Sequence, residues 1–71
     1  MNVLVFRTSV ETSEHVTHLA PVLDSLAGRE AWNFDLSDCD RILRIVSEKV
    51  NPEAVAHVLG GFGFVCHELE D

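Results

Sequence analysis

Positive charge is scarce in this sequence. Five lysines and arginines stand against 12 aspartates and glutamates in 71 residues, a formal net charge of −7. Such a balance opposes the counterion-release attraction that drives binding to phosphate backbones, and it excludes nucleic acid as a partner. It favours instead a basic protein partner, because complementary charge speeds encounter. Tyrosine is absent and there are only two cysteines, Cys39 and Cys66. They form neither a CxxC pair nor a disulfide framework, so both are expected to be reduced, as in the cytoplasm. Cys66 lies between Val65 and His67 in an apolar run and reads as a small buried hydrophobe. Cys39, in a turn between Asp38 and Asp40, has nothing beside it to activate a thiolate. No segment approaches the roughly 20 apolar residues of a membrane span. Val3 to Phe6 is too short for a signal-peptide core and follows no basic stretch, so no export signal is expected. There is no phosphate-binding glycine loop either, since Gly60-Gly61-Phe62-Gly63 reads as a helix exit.

What remains is a patterned chain of one domain, residues 1–71, close to the lower size limit for a self-sufficient core. Residues 3–10 alternate, with Leu4, Phe6, Thr8 and Val10 on one face, and read as a strand. Thr12 or Ser13 can cap a following helix, in which Val16, Leu19, Leu23 and Leu26 recur at helical spacing up to Gly28. Pro21, inside that helix, is expected to kink it. Period two returns at Trp32, Phe34 and Leu36, and after the turn at 37–40 the segment RILRIVS forms a third strand. Asn51-Pro52-Glu53 is a helix start with a side-chain cap and a proline in the first turn. Its apolar stripe is Val55, Val58 and Leu59, and a last strand runs from about Phe64 to Leu69. The order βαββαβ predicts an α+β, ferredoxin-like two-layer sandwich: a four-stranded antiparallel sheet with two helices on one face.

In detail the chain resembles the heavy-metal-associated family, the module of copper chaperones and of the N-terminal regions of metal-transporting ATPases. Val10 stands where that family has the methionine of its MxCxxC loop, Trp32-Asn33-Phe34-Asp35-Leu36 matches its second strand, and Gly63-Phe64 matches its glycine-aromatic pair. The resemblance implies metal thiolates at Thr12 and His15, and neither is cysteine. Copper transfer between soft thiolates is therefore not expected, whereas the family's fold and docking mode are. His15 and His18, three apart beside Glu11 and Glu14, offer two imidazoles and a carboxylate that suit Zn²⁺, Ni²⁺ or Cu²⁺ weakly; Thr12, His15 and His18 are the candidate metal residues. The alternative is that these are solvated residues of a module that has lost metal altogether. No arrangement supports an enzyme.

If Leu4, Phe6, Trp32, Phe34, Leu43 and Ile45 face the helices, then Val3, Val5, Ile42, Val46, Val65 and Leu69 face away. An open sheet face that apolar points to association, and a homodimer through it is expected. A second functional class, the amino-acid-sensing regulatory domain, shares the βαββαβ order and sheet-mediated dimerisation. It would need a glycine in the loop after the first strand, where this chain has Thr12-Ser13.

Overall fold

The structure, a computed structural model, describes residues 3–37, 39–48 and 50–69. Its elements are β1 (Val3–Thr8), α1 (Ser13–Ala27), β2 (Trp32–Asp35), β3 (Ile42–Val46), α2 (Pro52–Gly61) and β4 (Cys66–Glu68). The four strands make one antiparallel sheet in the order β2-β3-β1-β4. The ferredoxin-like α+β arrangement read from the alternation is thus the one observed. Asp38, in the expected hairpin turn, lies outside the described residues.

Each helix begins as its sequence dictates. Thr12 is extended at φ −127°, ψ 158°, and its hydroxyl accepts from the His15 N–H; Asn51 does the same for the Glu53 N–H at 2.8 Å. Pro52 supplies the fixed φ of a first helical position, where its missing N–H costs nothing. α1 ends at Gly28, whose φ of 99° lies in a region that L side chains avoid and whose N–H donates to the Asp24 carbonyl. Pro21, where a kink is expected, lies inside α1, whose helix runs from Ser13 to Ala27 on both sides of it.

The core lies between helices and sheet. Phe6, Leu43 and Ile45 from the strands meet Leu19 and Leu23 of α1 and Val55 and Leu59 of α2, all fully buried, with Val10 and Cys66 completing the cluster. Each such aliphatic or aromatic side chain stabilises the fold by roughly 1.5–3 kcal/mol on burial. Register fixes these faces: Phe6 sits opposite Leu43, Leu4 opposite Ile45, and Trp32 and Phe34 opposite Ile45 and Leu43. Trp32 is held further by its indole N–H, which donates to Asp24 Oδ1 at 2.9 Å and ties β2 to α1.

Candidate functional site

Two regions bear on function: the loop between β1 and α1, and the sheet face that no helix covers. In the first, the chain leaves β1 through Thr8, whose hydroxyl donates to the Arg41 carbonyl (2.7 Å) and accepts from the Val10 N–H (3.2 Å). Ser9 then clasps Val65 twice, its N–H donating to the Val65 carbonyl (3.0 Å) and its Oγ accepting from the Val65 N–H (2.8 Å). This clasp brings the start of α1 beside the entry to β4. There the half-buried His15 ring meets Phe64 edge to face, with centroids 5.0 Å apart and planes at 61°.

The three candidate metal residues therefore have local employment or open water. Thr12 Oγ1 accepts the His15 N–H at 3.1 Å as the helix cap. His15 Nδ1 accepts the Glu11 N–H at 3.4 Å. His18 is exposed. Among the described residues no three His, Cys, Asp or Glu side chains converge as a ligand set, so Glu11 and Glu14 do not complete one with the two histidines. Neither does the loop fit the thiolate-bound Cu(I) that the family resemblance brings to mind. Its donors are a hydroxyl and an imidazole, both hydrogen-bonded already, and the two thiols are elsewhere. Cys39 is exposed in the β2–β3 connection, while Cys66 is buried in the core, where desolvation pushes its thiol from 9.0 up to about 11.

The second region is built by the pleat. Side chains at Val3, Val5 and Arg7 of β1, Ile42, Arg44 and Val46 of β3, Asn33 and Asp35 of β2, and His67 of β4 point away from the helices. Val65 and Leu69, flanking β4, share that side, and the Leu69 N–H donates to the Val5 carbonyl at 2.8 Å. Val3 (55%), Val65 (54%), Val46 (41%) and Leu69 (38%) are the exposed aliphatic residues of this face. Val3 is paired directly with Val46 across the two central strands, and Val5 and Leu69 lie next to that pair. Ile42, expected here as a water-facing residue, has the outward register but is only 6% exposed, with Asp35 and Arg7 as its cross-strand neighbours.

The aliphatic block matches the alternation of the sequence, and a cationic border adjoins it. Arg7 and Arg44 fall on this face by the same count of two that places the valines there. Phe62, 47% exposed, is the C-cap residue of α2. A concavity lined by Asp24, Arg29 and Glu30 at the end of α1 is open to solvent, and no nucleophile or imidazole is among these three lining residues. No helix among the described residues is long and apolar enough to cross a membrane. Comparison of the chain with family models, with characterised proteins and with solved structures finds no match.

Proposed function

We propose that this protein is a small non-enzymatic binding module of the heavy-metal-associated type that works without metal, in the cytoplasm, through the open face of its sheet. The observation that carries this reading is the row of exposed aliphatic residues, Val3, Val46, Val65 and Leu69, on a face that an isolated antiparallel sheet would normally fill with polar side chains. The reading without a metal step is supported by the local hydrogen bonds of Thr12 and His15 and by the lack, among the described residues, of a third ligand beside them. Two unpaired cysteines support a reducing compartment. A second copy packed face to face about a two-fold axis is one way to bury the block.

Calorimetric titration of the reduced chain with Zn²⁺, Ni²⁺, Cu²⁺ and Cu(I) tests the metal-free reading, with a His15→Ala, His18→Ala variant as comparison. The expected result is no uptake tighter than about 1 μM. Binding tighter than that, lost in the variant, would replace this reading with one of a rewired metal carrier.

A further inference from the structure

The open face is not merely apolar. It carries two of the five basic residues of a chain whose net charge is −7. Arg44 stands opposite Val5, and Arg7 opposite Ile42 on one side and His67 on the other. Arg7 and Arg44 are thus diagonal neighbours, about 7–8 Å apart at their Cα atoms. Both are exposed, and among the described residues neither pairs with a carboxylate. In a chain with 12 acids against five lysines and arginines, two guanidiniums side by side form a local concentration of positive charge. The aspartate sharing the face is Asp35, on the edge strand, and its Oδ1 is turned toward Ser37, accepting from the Ser37 hydroxyl at 2.7 Å and its N–H at 3.2 Å.

We infer that the occupant of this face is a protein segment carrying carboxylates beside aliphatic side chains, with Arg7 and Arg44 receiving the carboxylates and Val3, Val5, Val46 and Leu69 the aliphatic groups. The inference rests on the reading of the open face as the working surface and names its partner's chemistry. A second copy fits the charges less well. Face to face about a two-fold axis, it brings its own Arg7 and Arg44 into the same interface, so four guanidiniums lose water with little carboxylate to meet them. Packed instead with another of its surfaces on this face, it makes a heterologous contact, which stays finite only where its rotation closes a ring. A segment of another protein whose carboxylates are confined to the contact has neither difficulty, whereas the net charge of −7 repels a partner acidic throughout. Arginine suits the task because its planar fork binds a carboxylate through two hydrogen bonds while its stem continues the aliphatic surface.

The test is fluorescence anisotropy of a labelled octapeptide alternating glutamate and valine, titrated with the full chain, beside the lysine-valine counterpart. The chain is expected to bind the acidic peptide and not the basic one. Arg7→Glu with Arg44→Glu is expected to weaken binding at least about tenfold. If that double variant fails to fold by circular dichroism, Arg7→Gln with Arg44→Gln replaces it. Equal affinity for the two peptides, or binding indifferent to the arginine changes, overturns the inference. No binding of the acidic peptide, together with a dimer by light scattering that Val46→Ser dissolves, also overturns it but leaves the open face as the working surface. A monomer that binds neither peptide overturns both.

Discussion

On the helix side of the sheet, Phe6, Leu43 and Ile45 are sealed from water; one residue along the same strands, Arg7, Arg44 and Val46 stand exposed on the other side. The strands themselves are apolar on both sides for much of their length, so hydropathy alone does not separate the two faces. The difference lies in what covers each. Two amphipathic helices seal one face and leave the other with a mixed population, aliphatic at the Val3–Val46 end and cationic around Arg7. A face that had only to remain soluble would be served by the acids this chain has in excess. Keeping arginine and valine there gives a surface that is tolerable in water yet ready for apolar contact.

The sharpest way to break the comparison is to truncate one residue on each side. Phe6→Ala empties a fully buried site and is expected to cost about 3–5 kcal/mol, much of the stability of a domain this size. Urea denaturation at fixed pH measures it, and a cost below about 1 kcal/mol would mean that the core does not rest on β1 as described.

Cys66 and His67 set the two faces against each other within one dipeptide, the thiol buried and the imidazole exposed. In the unfolded chain the thiol loses its proton near its ordinary value of 9.0, whereas in the native core it holds it to about 11. The native state therefore binds the extra proton between those values. Stability is complete below pH 9 and falls as pH rises toward 11, by on the order of 2 kcal/mol. Cys66→Ala should flatten that part of the profile, apart from any loss common to all pH values. Under native conditions a thiol reagent should modify exposed Cys39 well before Cys66.

At the sheet's edge the inner face is held by polar contacts as well as apolar ones. Trp32→Phe keeps most of the packing but removes the hydrogen bond to the Asp24 carboxylate, at an expected cost of about 1–2 kcal/mol. The helix that Asp24 belongs to depends on its cap to a similar degree: Thr12→Ala should cost about 1 kcal/mol. Thermal unfolding distinguishes either loss from no effect. Were Thr12→Ser to restore the stability that Thr12→Ala removes, the hydroxyl's role would be shown to be capping.

Much of this contrast is legible in the sequence. Period two in VLVF, WNFD and ILRIV, period 3.6 between Val16 and Leu23, and the Asn51-Pro52 start are local signals, and the elements they predict appear within a residue or two. Strand ends are less legible. β1 stops at Thr8 rather than at Val10 because the Thr8 hydroxyl bonds the Val10 N–H and the Arg41 carbonyl and turns the chain, although Val10 stays fully buried. Contacts between distant segments cannot be read from periodicity, and so the edge-to-face pairing of His15 with Phe64, which occupies a supposed metal ligand, becomes visible only in the fold. Burial of outward-pointing Ile42 is of the same kind, since alternation gives direction but not how far neighbouring side chains lean. Arg7 and Arg44 differ: the alternation that exposes Val5 and Val46 exposes them equally, and counting charge per face would have found them.

The smallest expected effect is the most telling for the outer face. Val46→Ala removes two methyl groups from a residue already 41% exposed, and Arg44→Ala removes a guanidinium with no carboxylate partner among the described residues. Each should change folding stability by no more than about 0.5 kcal/mol, the range of ordinary surface substitutions. If Arg44→Ala instead costs about 2 kcal/mol or more, its stem carries part of the sheet's packing. The arginine would then belong to the architecture, and the asymmetry between the faces would be one of degree. A negligible cost leaves Arg44 with no structural reason to sit unpaired beside Val5 and Val46 in an acidic protein, and its reason must then be sought in what docks there.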